Sequence, residues 1–244
     1  MAVADIDRVV ELAEPVFLPD GSAVIYSATV ADPKADTRTS DLWRSEWADG
    51  KRRNLTRTPG KSEWLPQASS DGKRIYFLAE TAKDDTTQLW TIAATGGARR
   101  QVTRLPGGIT DFALAPDGKR AVVVAERGSS VGVSGTPPPV VIDRYQAKQD
   151  YRGRIDDRVA QLFLVDLKNG KASQLTNGRF DVATPSWSPD GLSIAYVSWQ
   201  DEAADRRGDS DVFVIAPEPG AQPRAVSPSR NADNDPNSTP MRPA

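Results

Sequence analysis

One four-part phrase recurs along these 244 residues, and it limits the folds open to the chain more than any average property does. The phrase opens on a tight-turn tripeptide, at Pro19-Asp20-Gly21, Ser70-Asp71-Gly72, Pro116-Asp117-Gly118 and Pro189-Asp190-Gly191. An apolar run follows each turn: Ala23 to Ala28 (AVIYSA), Arg74 to Ala79 (RIYFLA), Arg120 to Ala125 (RAVVVA) and Ser193 to Trp199 (SIAYVSW). Runs this short and this rich in β-branched and aromatic residues are those of strands buried on both faces. After a loop come Asp41-Leu42-Trp43, Gln88-Leu89-Trp90, Gln161-Leu162-Phe163 and Asp211-Val212-Phe213, each opening another strand. Turns at Asp49-Gly50-Lys51, Gly96-Gly97, Asn169-Gly170-Lys171 and Pro219-Gly220 supply the positive φ of tight hairpins. A fourth strand then ends in Asn54-Leu55-Thr56, Gln101-Val102-Thr103, Gln174-Leu175-Thr176 or Ala225-Val226-Ser227.

One unit is thus four antiparallel strands, and the turn aspartates Asp20, Asp71, Asp117 and Asp190 space the units by 51, 46 and 73 residues. Small four-stranded sheets in succession are the plan of a β-propeller. A two-sheet sandwich would also need many short strands, but it gives no reason for the same phrase in the same order each time. The expected fold is therefore all-β, a propeller of WD-like four-stranded blades at about residues 15–56, 64–103, 109–176 and 182–227. At the end of the chain Asp235-Pro236-Asn237-Ser238-Thr239-Pro240 keeps the proline spacing of Pro15 to Pro19 and Pro185 to Pro189. Ser238 stands where an apolar residue is expected, and Met241-Arg242-Pro243-Ala244 replaces the turn. Residues 228–244 read as a fifth blade cut off at its first strand, leaving an incomplete ring whose end blades expose apolar faces and invite self-association.

The long third interval comes from an insertion in blade three, about Arg127 to Ala160. Gly128 to Gly135 (GSSVGVSG) reads as flexible and Thr136-Pro137-Pro138-Pro139 as extended, while Val140 to Tyr145 has the composition of a short strand. Arg144, Tyr145, Lys148, Asp150, Tyr151 and Arg152 combine cationic donors with aromatic rings on this excursion, which makes them the substrate-contact candidates. An exposed charged loop is the plainer alternative.

Composition removes several chemistries. The chain has no His and no Cys, so no imidazole or thiolate is at hand for a zinc site or an activated nucleophile. No metal and no cofactor is expected, and no catalytic residue is assigned. With 31 basic and 33 acidic residues interspersed there is no basic stripe for nucleic acid, and no apolar run is long enough to span a membrane. The acidic N-terminus, Met1-Ala-Val-Ala-Asp5-Ile-Asp7, lacks the features of a signal peptide, so a cytoplasmic location is expected.

The succession of P-x-F/W-x-P-D-G, apolar strand, D-L-W, G-G or N-G-K, and x-L-T resembles the N-terminal propeller of the prolyl oligopeptidase family of serine peptidases. The resemblance covers essentially the whole chain and is greatest with the acylaminoacyl and dipeptidyl peptidase branch. Three stretches sharpen it: Thr37 to Trp43, Val141 to Tyr145 in the insertion, and Phe180 to Trp187. The turns alone are shared with TolB-like propellers; the insertion favours the peptidases. The resemblance implies a propeller over an α/β-hydrolase domain, which would be the partner absent from this chain, and short peptides as the substrates of the parent protein. The alternative is a TolB-like propeller serving as a protein-interaction scaffold. Without His the chain cannot hold the family's triad and is expected to be inactive alone.

Several weaker signals have structural explanations. Gly128-Ser129-Ser130-Val131-Gly132 fits Gly-x-Ser-x-Gly, but Gly, Ser and Pro follow where a nucleophile elbow needs a helix, so Ser130 belongs to a flexible loop. Asp20, Asp71, Asp117 and Asp190, with Gly21, Gly72, Gly118 and Gly191, are explained by turn chemistry. Asp233, Asp235 and Asn237 alternate like calcium ligands but lack the Gly and distal Glu of such a loop. Asn54-Leu55-Thr56 and Asn237-Ser238-Thr239 match the glycosylation sequon without a secretory signal. Trp43, Trp90 and Trp187 are expected in the core.

Overall fold

Each apolar run of the repeat forms the second strand of a four-stranded antiparallel sheet in the computed structural model, which describes residues 9–81, 86–127, 158–199 and 209–226, and the backbone at 148–149 and 153–154. The first sheet joins β1 (Glu11–Phe17), β2 (Ala23–Asp32), β3 (Thr37–Glu46) and β4 (Arg52–Asn54) in chain order. The second joins β5 (Glu63–Ala68), β6 (Arg74–Glu80), β7 (Thr87–Ala93) and β8 (Arg100–Gln101). In the third, β9 (Ile109–Leu114), β10 (Arg120–Arg127), β13 (Val159–Asp166) and β14 (Ala172–Gln174) are consecutive neighbours, with β11 (Lys148–Gln149) and β12 (Gly153–Arg154) a separate ribbon between β10 and β13. The fourth joins β15 (Val182–Trp187), β16 (Ile194–Ser198), β17 (Asp211–Ile215) and β18 (Arg224–Ala225). These are the blades of a β-propeller, and no helix occurs among the described residues. Residues 228–244, read above as the start of a fifth blade, lie outside them.

The repeated turn is held the same way four times. The residue before the turn pair, Leu18, Ser69, Ala115 or Ser188, donates its N–H to the carbonyl five residues on, at Ala23, Arg74, Arg120 or Ser193, each at 2.9 Å. The Oδ1 of Asp20, Asp71, Asp117 and Asp190 accepts the N–H two residues later, at 3.0, 3.0, 2.8 and 3.0 Å. Gly21, Gly72, Gly118 and Gly191 follow with φ of 70°, 67°, 65° and 69°, a conformation that side chains with a Cβ adopt only with strain. The Ser22 amide holds the Asp20 carboxyl below the usual carboxylate range; at Asp71 and Asp190 the hydroxyls of Ser69 and Ser188 contribute most, with the amides second.

The third and fourth strands close on one another through a latch that the repeat also spells. Leu55, Val102, Leu175 and Val226 donate their N–H groups to the carbonyls of Leu42, Leu89, Leu162 and Val212. In return the Oγ1 of Thr56, Thr103 and Thr176 accepts the N–H of Leu42, Leu89 and Leu162, at 3.0, 3.0 and 2.9 Å. The residue before that leucine then fastens the outgoing chain: Asp41 accepts Thr58 N–H, Gln88 accepts Leu105 N–H, and Gln161 accepts Gly178 N–H. This is why Asp-Leu or Gln-Leu recurs together with Leu-Thr or Val-Thr.

The chain divides into two compact units, residues 1–109 with 117–119 and 167–170, and the remainder. In the first, Leu18, Ile25, Leu42 and Leu55 of one blade form a single buried cluster with Ile75, Phe77, Ala79 and Ile92 of the next. In the second, Val122, Val124, Leu162 and Leu175 cluster with Ile194, Tyr196 and Ile215. Trp90 and Trp187 pack against these clusters and donate Nε1–H to Ala79 O and Ala113 O, at 3.2 and 3.0 Å, whereas Trp43 is half-buried and belongs to neither.

Three first strands contain a break in register that the sequence reading did not anticipate. It falls between Ala13 and Val16, Trp64 and Gln67, and Ala183 and Ser186. Each break holds a left-handed residue followed by proline: Glu14 (φ 54°), Leu65 (φ 52°) and Thr184 (φ 47°). Such bulges are where a strand tolerates a proline, which has no N–H to give.

The latch gives a direct test. Thr103 is 1% exposed, and its hydroxyl also donates to Gln88 Oε1 at 2.8 Å. Thr103→Val keeps the shape but leaves the buried Leu89 amide unpaired and takes from the Gln88 carbonyl one of its two donors, Leu105 N–H remaining, so it lowers stability by about 1–3 kcal/mol. Urea denaturation checks this, and Thr103→Ser loses much less.

Candidate functional site

The third blade has the longest connection between its second and third strands, Arg127 to Val159, so its stem is the natural frame for a site. β10 and β13 pair along their whole length, from Arg120 opposite Asp166 to Arg127 opposite Val159. The sheet therefore runs two residues past the apolar run at Ala125, and the excursion leaves from Arg127 and returns at Arg158. The Arg158 Nη1 meets Glu126 Oε2 at 3.2 Å, both side chains partly buried. Arg127 Nη1 donates to Asn177 Oδ1 at 3.0 Å and Gln174 Oε1 at 3.4 Å. Asp181 Oδ1 accepts Ala160 N–H at 2.8 Å, and Gln161 Nε2 donates to Phe180 O at 2.9 Å. The stem is thus bound to the segment 177–181 that leads into the fourth blade.

Of the substrate-contact candidates, Lys148 lies in β11, its Cα opposite Arg154 of β12, with Gln149 opposite Gly153. Arg144, Tyr145, Asp150, Tyr151 and Arg152 lie outside the described residues, as do Ser130, the Val140 to Tyr145 run and the Asp233-Asp235-Asn237 series. Asn54 of the first sequon is committed to the latch: its Nδ2 donates to Asp41 Oδ2 at 2.7 Å and its Oδ1 accepts Thr56 N–H at 3.0 Å. No group of three or more His, Cys, Asp or Glu among the described residues could hold a metal ion.

Three acids outside the sequence candidates are drawn into the structure. Glu14 and Asp111 both stand six positions before a turn aspartate. Glu14 Oε2 accepts the N–H of Leu65, the bulge residue of the next blade, and Ser27 Oγ–H at 3.1 Å. Asp111 accepts Phe112 N–H at 2.7 Å and the amide of Thr184, again the next blade's bulge residue. Burial nonetheless pushes the Asp111 carboxyl above the usual range. The third acid, Glu63, is fully buried in β5. Its position eight residues before the turn aspartate is held by Leu12, Ile109 and Val182 in the other blades. Aligning the repeats on their turns exposes that departure in the sequence itself.

No family model matches the chain. It is 26% identical over 226 residues to the uncharacterized peptidase YuxL of Bacillus subtilis (strain 168), a match covering 86% of this chain and 33% of YuxL. It is 31% identical over 211 residues to dipeptidyl-peptidase 5 of Porphyromonas gingivalis, covering 77% of this chain and 29% of that protein. Among solved structures, an acylaminoacyl peptidase of Pyrococcus horikoshii superposes with a TM-score of 0.72 at 17% identity, over 91% of this chain and 33% of the peptidase. The chain is a propeller portion of a prolyl oligopeptidase family peptidase. It spans about a third of the length of the curated relatives it matches. TolB of Acinetobacter baumannii has the same fold, with a TM-score of 0.57 at 17% identity over 90% of this chain, so the fold alone does not distinguish the peptidase propeller from TolB; the sequence relatives do.

The stem predicts that the excursion of this prolyl oligopeptidase family propeller is separable from its fold. Joining Arg127 to Arg158 by a short glycine-containing turn in place of residues 128–157 should keep the β-sheet circular dichroism and change stability by no more than about 1 kcal/mol, since a shorter loop costs less closure entropy. A larger loss in urea denaturation means that the excursion packs on the sheets.

Proposed function

We propose that this chain is the non-catalytic propeller of a serine peptidase of the acylaminoacyl, dipeptidyl or oligopeptidase type, and that it restricts access to a hydrolase domain carried by the rest of the protein so that only short peptides enter. The observation that carries this reading is the 31% identity to dipeptidyl-peptidase 5 along 211 residues, with the match confined to 29% of that enzyme. Latched sheets suit a gate, because they hold loops in fixed positions while the loops themselves select what passes. The charged and aromatic residues of the third-blade excursion, Arg144, Tyr145, Lys148, Asp150, Tyr151 and Arg152, are the proposed contacts to a peptide backbone or terminus. The partner is the hydrolase domain, which must supply serine, acid and histidine, since this chain has no histidine to take a proton from a serine.

The likeness to TolB supports a second reading, a scaffold propeller with no enzyme attached. The two readings part on what is encoded beside these residues. The gate requires further blades, a Gly-x-Ser-x-Gly elbow and a later histidine in the same gene; a scaffold requires none of these. In solution, the purified 244-residue chain should turn over no chromogenic dipeptide or acyl-amino-acid substrate. Hydrolysis that co-purifies with the chain and is abolished by serine-reactive inhibitors would overturn the assignment of a non-catalytic role.

A further inference from the structure

Glu63 stands in a repeat column that is otherwise aliphatic, with Leu12, Ile109 and Val182 as its counterparts, and its side chain is 0% exposed. It lies where the chain leaves the first blade and enters the second. Ser40 Oγ–H of β3 donates to the Glu63 carbonyl at 2.5 Å, and Ser40 N–H donates to Ser62 Oγ at 3.3 Å, so the main chain is pinned across the seam on either side of the acid. Arg99 meets Glu63 Oε1 at 2.6 Å and lies 4.6 Å from the centre of the Trp90 ring, which fixes the guanidinium from the opposite side. The second carboxyl oxygen, Oε2, is buried with no hydrogen-bond partner.

We propose that Glu63 and Arg99 make the seam between the first and second blades a proton-controlled joint, closed when Glu63 carries its proton and loosened when it does not. A buried carboxylate with one orphan oxygen is costly to ionise, and the Arg99 contact on Oε1 together with the nearby Thr58 and Thr56 hydroxyls does not offset the lost hydration. Burial accordingly pushes the Glu63 carboxyl up to about 7, against the pull of the nearby Thr58 and Thr56 hydroxyls and the Arg99 guanidinium. The charged groups facing it are Arg99 from the segment before β8 and Asp41 from β3, whose negative charge raises it further. The neighbouring Lys61 and Glu80 are paired with each other at 3.8 Å. Because the folded value exceeds the unfolded one, the native chain holds a proton that the unfolded chain has released, and stability falls as pH rises from about 4.5 through about 7.

The test is urea denaturation of the full chain from pH 5 to pH 8.5, comparing the wild type with Glu63→Leu, the residue its column favours, and Glu63→Gln. Asp111→Asn serves as the control for the other buried acid. The unfolding constant of the wild type relative to Glu63→Leu should climb by a factor on the order of a hundred across that range, and Asp111→Asn relative to Glu63→Leu should keep most of that climb. Amide exchange at Leu65 and Leu55, corrected for intrinsic rates, should quicken over the same range in the wild type and not in Glu63→Gln. Equal pH dependence in wild type and both Glu63 variants overturns the proposal. If the variants do not fold, infrared titration of Asp111→Asn decides: a buried protonated-carboxyl band lost near pH 7 supports the joint, and no band above pH 5.5 refutes it.

Discussion

The latch between the third and fourth strands is the interaction on which the rest of this structure depends. A blade stacked between blades has both faces buried, so its only routes for satisfying main-chain polar groups are its own ladder and its side chains. The fourth strands are two or three residues long and cannot supply a full ladder to the third. The threonine hydroxyl makes up the deficit at the buried leucine amide, and the Asp or Gln before that leucine does the same for the chain on its way to the next blade. In the first three blades the same residues therefore also fix the chain as it leaves the blade. Stacking is then settled locally, and the aliphatic clusters within each unit form between sheets whose approach is already set.

A second device works on the first strands. Left-handed non-glycine residues cost about 1–3 kcal/mol each, and Glu14, Leu65 and Thr184 all sit in that region. The strain persists because the surroundings hold it. Leu65 N–H is bound by Glu14 of the preceding blade, and the Thr184 amide by Asp111. An acid on one blade thus captures the bulge amide of the next, once in each unit. Bulge and acid form a second tie between neighbouring blades, at a different strand from the latch.

The second strands were legible because burial on both faces leaves no choice but a continuous apolar run, as at Ile75 to Ala79 and Ala121 to Ala125. The turns were legible because only a few residues make that geometry. The Asp-Leu-Trp and Leu-Thr motifs were visible as recurrences, but their meaning was not, since a hydroxyl accepting an amide fourteen residues away leaves no local signal. The bulges were hidden for a related reason: Leu65 has nothing in its own chemistry to suggest φ of 52°, and only the proline after it and the acid on another blade explain it. Along β10 the strand outran its apolar run because Glu126 and Arg127 are held by polar partners, Arg158 and Asn177, instead of by burial.

In a chain built from one repeated phrase, departures from the phrase carry more information than its recurrences. The recurrences are accounted for by the latch, the turn and the bulge. Two departures remain within that frame. The excursion of the third blade adds more chain between second and third strands than any other blade has, on a stem anchored at both feet. Glu63 replaces an aliphatic residue with an acid at the point where one blade hands over to the next, where packing would favour any of its counterparts. An acid buried there weakens the seam between the first two blades in proportion to its ionisation, and so places control at their joint and not within either blade.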